Sequence, residues 1–437
     1  MNPELRRNLW LELTLHRLLA MPLVLALVLG LVYAASDEDP RSSLATAAAA
    51  IAAGLAGLWG ARNAADAVPG ELRGRTWDAQ RMSAIGPWAM AWGKLLGATS
   101  FAWYGALLAL AVLVLAAPRG WTHAPARVAM LIVAASLLAQ ATAALSGVAI
   151  ARKGLARPGA PSAWLLFLAV ILLWPAVALF SSPLEPATWW RARYGILDFA
   201  LASSAALAAW AVFGLYRAMC TELQVRTTPW AIAAFALFVT AYLAGFLVAP
   251  GAEPGTGHDA LIVCGFAVCA ALTYLMLFSE QASVTAARRV QVRLARGEWR
   301  RALEELPAWT ATFALAALFC LFSLALLEER LPLRSLALAP APAMLLLARD
   351  VAIYLVFAFA RRPRRVEAAA VFYLFLLYAV IPWLAHAAGL HALADLVLPP
   401  LLVKPGYATV VAAGQAAIAF AFVAWRWRAY GEPRPQP

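Results

Sequence analysis

The chain has 437 residues, of which 64% are hydrophobic and only 13% are charged. An ordinary soluble domain carries about 25% charged residues, so a mean hydropathy of +0.74 leaves too little polar material to cover a soluble globule. This excludes a cytosolic enzyme, a secreted disulfide-bonded scaffold and a disordered chain. The net charge of +12 comes from basic residues between apolar stretches, which is typical of membrane-protein loops rather than of nucleic-acid-binding surfaces. We therefore predict an all-α polytopic integral membrane protein with no nucleic-acid partner.

The apolar stretches are each long enough to cross about 30 Å of hydrocarbon as a helix. A helix is the expected form because the backbone of a lipid-embedded segment must satisfy its own hydrogen bonds. About twelve spans are predicted, at residues 18–35, 44–61, 95–117, 128–150, 163–180, 195–216, 230–249, 260–279, 308–327, 343–360, 368–389 and 406–425.

The basic residues divide unequally between the two sides of these spans. With the N-terminus inside, 26 of the 35 basic residues fall in cytoplasmic segments, eight fall outside and Arg349 lies within a span. Cytoplasmic loops carry such an excess, so both termini are predicted to be cytoplasmic. The strong preference for arginine over lysine indicates a GC-rich bacterial genome, and hence a bacterial inner membrane.

The N-terminal segment 2–17 precedes the first span. Asn2 suits a helix cap, Pro3 suits the first turn, and leucines recur every four residues at Leu5, Leu9 and Leu13. This pattern favours an amphipathic helix lying along the inner membrane surface. The alternative is that the apolar stretch after it belongs to a cleaved signal peptide.

The most distinctive polar segment is the loop 62–94. It concentrates charge from Glu71 to Arg81, and Gly86-Pro87 would end any short helix there. Asp78 and Arg81 are three residues apart and can pair on one helical face. We expect a short surface helix with fixed charges and an exposed Trp77. The alternative is an ordinary positively charged cytoplasmic loop.

Other chemistry-bearing patterns are not found in the sequence. Gly86 to Lys94 ends in Gly-Lys but lacks the spacing and the following Ser or Thr of a phosphate-binding loop. The four cysteines form no C-x-x-C pair, and the five histidines give no metal pair on one helical face. We predict no catalytic residues, no metal and no cofactor in this chain, so any ATP must bind another polypeptide.

These features together resemble the permeases of ABC-2-type exporters. In that family an amphipathic helix precedes the first span, and the second span is followed by an acidic residue, a Gly-Thr or similar pair, a short coupling helix, a proline and Gly-Lys. The corresponding parts of this sequence are residues 2–17, Glu71, Thr76, 77–85, Pro87 and Gly93-Lys94.

The resemblance implies that the loop docks on a separate ATP-binding subunit, present as a homodimer or a pair. The implied contact residues are Glu71, Arg75, Thr76, Trp77, Asp78, Gln80, Arg81 and Ser83. Two features depart from the family: Arg75 replaces a glycine, and the chain has twelve predicted spans where the usual permease has six.

Twelve spans suggest two six-helix halves, residues 1–218 and 219–437, the second being either a diverged repeat or unrelated. Each half has its long cytoplasmic loop after its second span, at 62–94 and 280–308. The second loop is either another ATPase-facing element or a basic amphipathic helix on anionic lipid.

Arg349 and Asp350 lie inside the tenth predicted span, where charge is costly. They form either a translocation or proton site or a structural ion pair. The first reading supports a rival function, an ATPase-independent secondary transporter. A further rival is an integral-membrane enzyme acting on lipid-linked substrates. The sequence does not identify a substrate.

Overall fold

A computed structural model describes residues 2–37, 39–118, 124–152, 186–225, 227–251, 255–280, 284–326, 340–360, 366–401 and 404–431. These ranges are helical apart from turns and one short two-stranded hairpin. They contain ten helices long and apolar enough to cross a membrane, or eleven if a bent pair is one span. The prediction of an all-α polytopic membrane protein is confirmed. The predicted span 163–180 lies outside the described residues.

The chain forms two compact units, the first comprising residues 1–187 and 193–227. Its helices are α1 (Pro3–Glu12), α2 (Leu15–Ala34), α3 (Pro40–Ala52), α4 (Gly60–Asp66), α5 (Pro69–Arg73), α6 (Trp77–Arg81), α7 (Pro87–Gly97), α8 (Ser100–Ala116), α9 (Pro125–Arg152) and α10 (Ile196–Glu222). Two short strands, β1 (Ala187–Trp189) and β2 (Ala192–Tyr194), precede α10 in the chain, and residues 188–192 of this hairpin are assigned to the second unit.

The second unit comprises residues 188–192 and 228–437. Its helices are α11 (Trp230–Leu247), α12 (Thr256–Ser279), α13 (Val284–Ala295), α14 (Trp299–Glu305), α15 (Ala308–Leu326), α16 (Pro340–Ala358), α17 (Val366–Phe375), α18 (Ile381–Ala387), α19 (His391–Val397) and α20 (Pro405–Arg426). Short π-helical segments at Leu376–Val380 and Trp427–Gly431 follow α17 and α20.

In the first unit, α3 and α4 are joined by a π-helical segment, Ala53–Trp59. A π turn leaves backbone groups without their usual α-helical partners. The buried amide of Gln140 on α9 donates to the Ala56 carbonyl at 2.8 Å, and its oxygen accepts from the Trp103 indole at 2.9 Å. Gln140 therefore connects three helices through hydrogen bonds, as a polar side chain between membrane helices commonly does.

Helices α7 and α8 replace the predicted straight span at 95–117. They meet at a bend of 56° between Gly97 and Ser100. Helix α7 begins eight residues before the predicted span, because Pro87 suits its first turn and Gly86 before it is extended. The bend places α7 at an angle to the apolar helix α8 that follows it.

Helix α1 lies against α7 and approaches it closely at two glycines. A Cβ added at Gly93 would lie 2.6 Å from the Cβ of Glu4, and one added at Gly97 would lie 2.6 Å from the Cβ of Asn8. The Asn8 amide donates to the Gly93 carbonyl at 3.2 Å. The two glycines, four residues apart on one face of α7, therefore provide the room that α1 occupies.

Replacement of Gly93 by alanine is expected to displace α1 from α7. Overpacking of this kind costs about 1–3 kcal/mol, so the amides of α1 should exchange hydrogen roughly tenfold faster, as mass spectrometry would show. The control is Gly86→Ala, where an added Cβ has no neighbour within 4 Å. Equal exchange of α1 in the two variants would show that the contact does not hold the helix.

Candidate functional site

The loop 62–94 is held by a buried group of charged and polar side chains around Lys94 on α7. The Lys94 ammonium lies 2.8 Å from a carboxylate oxygen of Glu4 on α1, pairs with Glu71 on α5, and donates to the Gln80 side-chain oxygen on α6 at 2.7 Å. The side chains of Lys94 and Glu4 are each only 2% exposed. Because a buried ion is costly unless it is paired, this lysine requires its partners in place.

Glu71 joins the same group from a second side. One of its oxygens accepts from Arg7 of α1 and, at 2.7 Å, from the amide of Gln80. The group Glu4, Arg7, Glu71, Gln80 and Lys94, here the Lys94 cluster, contains two acidic and two basic side chains, so its charges balance. It links α1, α5, α6 and α7, which are separated by up to 90 residues in sequence.

Trp77 is the first residue of α6, and it is buried with only 2% of its surface exposed. The expectation of an exposed Trp77 is wrong. The indole packs into the apolar core of the first unit, and the Lys94 ammonium lies 5.6 Å from the centre of its ring. At that distance the ring face attracts a cation, so Trp77 supports the cluster rather than a surface contact.

The opposite side of α6 faces outward. Asp78 and Met82 are each 82% exposed, and the predicted pair of Asp78 with Arg81 is present at 3.8 Å. Arg75, Thr76 and Ser83 are exposed as well. Of the eight predicted contact residues, Glu71, Trp77 and Gln80 therefore face inward, Arg81 is half-buried, and Arg75, Thr76, Asp78 and Ser83 remain accessible.

Arg75 occupies a position where the resembling family has glycine, and its backbone adopts φ +56°. This left-handed conformation ends α5: the N–H of Thr76 donates to the Glu71 carbonyl at 3.0 Å, and that of Arg75 donates to the Leu72 carbonyl at 3.1 Å. Such a helix end normally uses glycine because a side chain is disfavoured there. Arg75 therefore adopts a backbone conformation that glycine favours.

Arg81 connects α6 to the end of the last helix of the first unit. Its Nε donates to the backbone carbonyl of Glu222 at 3.1 Å. Arg152 from α9 donates to the Glu222 carboxylate at 2.5 Å and to the Ala218 carbonyl at 2.8 Å. Basic side chains are favourable at a helix C-terminus, where unpaired carbonyls carry partial negative charge. The end of α10 is thus held by α6 and α9.

The second unit contains a separate buried charge group. The Arg349 guanidinium lies 2.8 Å from one oxygen of Asp350 and donates to the Gln415 side chain. The other Asp350 oxygen accepts from the hydroxyls of Tyr274 at 2.6 Å and Tyr378 at 2.8 Å. The guanidinium also lies 4.9 Å from the centre of the Tyr378 ring. The pair is neutral, and both members are at most 3% exposed.

Two histidines that the sequence leaves unpaired come together in the second unit. Gly389, at φ +75°, turns the chain between α18 and α19, and the Nδ1 atoms of His386 and His391 lie 3.0 Å apart. This is a hydrogen bond between imidazoles, which requires one nitrogen to lack a proton. Among the described residues no group of three or more His, Cys, Asp and Glu side chains converges on a metal position.

Comparison of the chain with protein-family models, curated proteins and solved structures finds no match. The inference of function therefore depends on the residues and contacts of this chain.

Replacement of Lys94 by methionine should destabilise the first unit, because it leaves Glu4 and Glu71 buried with less positive charge between them. Removal of one member of a buried ion pair costs about 3–5 kcal/mol. The free energy of unfolding in mixed micelles would measure the loss. The control is Arg73→Met, which breaks the exposed pair with Asp66 and should cost at most about 1 kcal/mol. Equal stability of the two variants would contradict the role given to Lys94.

A double-mutant cycle on Arg349 and Asp350 tests whether they act as one structural unit. Either Arg349→Met or Asp350→Asn alone leaves the other charge buried without its partner, at a cost of about 3–5 kcal/mol. The double variant should lose less than the sum of the single losses, by about 0.5–3 kcal/mol. Additive losses in the free energy of unfolding would show that the two side chains are not coupled.

Proposed function

We propose that this chain is the membrane-spanning permease subunit of an ATP-driven ABC exporter in a bacterial inner membrane, with both termini cytoplasmic. The observation that carries the proposal is the two-sided construction of α6. Its inner side chains, Trp77 and Gln80, are anchored at the Lys94 cluster, whereas Asp78 and Met82 on the other side are exposed. A short helix whose buried side chains fix its position, and whose other side chains are exposed, is suited to binding a protein partner.

The partner in this proposal is a separate ATP-binding subunit, acting as a homodimer or a pair. It would bind and hydrolyse ATP, since the sequence of this chain has no phosphate-binding loop. Its contact surface on this chain would be Arg75, Thr76, Asp78, Met82 and Ser83, which are all exposed. Glu71, Gln80 and Trp77 would not contact the partner; they would hold this surface in position through their contacts with the Lys94 cluster.

A displacement of α6 would be transmitted to the membrane helices through two sets of hydrogen bonds and ion pairs. Gln80 and Glu71 both bond to Lys94, which lies in the last turn of α7 before the bend into α8. Arg81 bonds to the C-terminal carbonyl of α10. A displacement of α6 by the partner would therefore shift α7 and α10 directly, and α1 would follow because Glu4 and Arg7 share the same cluster.

The bonding of Arg349 and Asp350 favours the structural reading of that pair over the rival secondary transporter. A proton or substrate site needs a charged group that can release its partners, whereas both groups here are neutralised by each other and bonded to Gln415, Tyr274 and Tyr378. The third function, an integral-membrane enzyme, receives no support from a catalytic arrangement in the described residues.

The proposal predicts that Asp78→Ala combined with Met82→Ala lowers the recovery of an ATPase subunit. The tagged chain would be purified from its native host in mild detergent, and a co-purifying protein with a Walker A motif would be identified by mass spectrometry. Loss of a polar and an apolar contact at the centre of an interface costs about 2 kcal/mol or more, so recovery should fall at least about tenfold at limiting concentration.

The control is Asp198→Ala, which also removes an exposed acidic side chain, at the opposite end of α10 from Glu222. Recovery with this variant should equal that of the wild-type chain. Absence of any Walker A protein, or undiminished recovery with the Asp78/Met82 variant at unchanged thermal stability, would refute the proposed docking surface.

A further inference from the structure

The second long loop folds into a helical hairpin of α13 and α14, here the basic hairpin, residues 284–305. Gly297, at φ +74°, allows the turn between the two helices, and the N–H of Glu298 donates back to the Arg293 carbonyl at 2.9 Å. The carboxylate of Glu280, just after α12, accepts from the N–H of Ala308 at the start of α15, at 2.9 Å. The hairpin is therefore attached where two apolar helices end and begin, at the boundary of their membrane-spanning lengths.

One side of the basic hairpin is internal. Val290 and Ala302 are buried, and Ala287 packs against the apolar core of the second unit. Glu305 pairs with Arg293 at 2.8 Å, and Arg289 lies 3.9 Å from the same carboxylate. These contacts hold the two helices together, and the charge of Glu305 is neutralised by arginines within the hairpin.

The other side combines positive charge with exposed apolar side chains. The hairpin has six arginines against three glutamates, and Arg296, Arg300 and Arg301 are exposed. Between and beside them Trp299 is 64% exposed and Leu303 50% exposed, and Val292 is also open. A soluble surface does not normally place an exposed tryptophan and leucine among arginines, whereas an interfacial helix does.

We propose that the basic hairpin binds the anionic headgroups of the membrane in which the chain sits. Arginine guanidinium groups donate in pairs to phosphate oxygens, and tryptophan is enriched at the level of the headgroups. The attachment of the hairpin at the ends of α12 and α15 keeps Arg296, Trp299 and Arg300 near that level. The ligand is anionic phospholipid, and the inference does not depend on the proposed ATPase.

The contrast with α6 favours lipid over a protein partner here. In α6 the tryptophan is buried and the exposed positions include an acidic side chain, Asp78. In the basic hairpin the tryptophan is exposed, and it lies in sequence between Glu298, which pairs with Arg301 at 3.1 Å, and the exposed Arg300. With six arginines against three glutamates, the hairpin keeps a net positive charge. The charge of this surface is complementary to anionic lipid, which attracts juxtamembrane basic segments.

Hydrogen–deuterium exchange of the full chain in nanodiscs tests the proposal without any substitution. Nanodiscs of phosphatidylcholine alone are compared with nanodiscs that also contain phosphatidylglycerol. The amides of α13 and α14 should exchange at least about threefold more slowly with the anionic lipid, and high salt should remove the protection because it screens exposed charges. The exposed short helix α19 should exchange equally in both and serves as the internal reference.

Two double variants sharpen the experiment. Arg296→Gln with Arg300→Gln should abolish the lipid-dependent protection, whereas Arg191→Gln with Arg193→Gln, which removes two arginines of the β1–β2 hairpin, should leave it unchanged. Equal exchange of the basic hairpin in the two lipids overturns the proposal. Protection that appears only when an ATP-binding protein is added, whatever the lipid, also overturns it and assigns this surface to a protein.

Discussion

The position of α1 and the loop 62–94 depends on one buried ammonium group. Lys94 is 1% exposed, and a cation so enclosed is tolerated only if acidic side chains reach it. Glu4 and Glu71 do so from α1 and α5, and Gln80 adds a hydrogen bond from α6. The short helices α1, α5 and α6 are thus held in place because the buried charge of Lys94 needs partners from all three. The glycines of α7 leave the space that α1 needs to bring Glu4 close to Lys94.

The same requirement determines which side of α6 is available. A helix of five residues cannot hold its own conformation in water, so its direction is set by the side chains that bury it. With Trp77 and Gln80 turned toward Lys94, Asp78 and Met82 necessarily point outward. The orientation of the exposed side chains is therefore set by the buried ones, and under the proposed function this preorganisation would reduce the entropy lost on binding a partner.

The apolar spans could be predicted from the sequence because twenty apolar residues identify a membrane helix without knowledge of their neighbours. The pairing of Asp78 with Arg81 was equally local. The burial of Trp77 was not predictable in this way, since it depends on Lys94 and on contacts with distant helices. The role of Glu4 was not predictable from the N-terminal helix alone, because its partner Lys94 lies 90 residues away in sequence. The spacing of Glu4 and Asn8, which matches that of Gly93 and Gly97, was the available signal.

The Arg349–Asp350 pair and the Lys94 cluster differ in what surrounds them. Arg349 and Asp350 are enclosed by side chains from the interior of the second unit, so their bonds link helices and end there. The Lys94 cluster lies beneath an exposed surface, and every displacement of that surface must strain its ion pairs or carry α7 with it. The first group connects helices within the second unit. Under the proposed function, the second group would also transmit a displacement of α6 to α7, because its members lie on both helices.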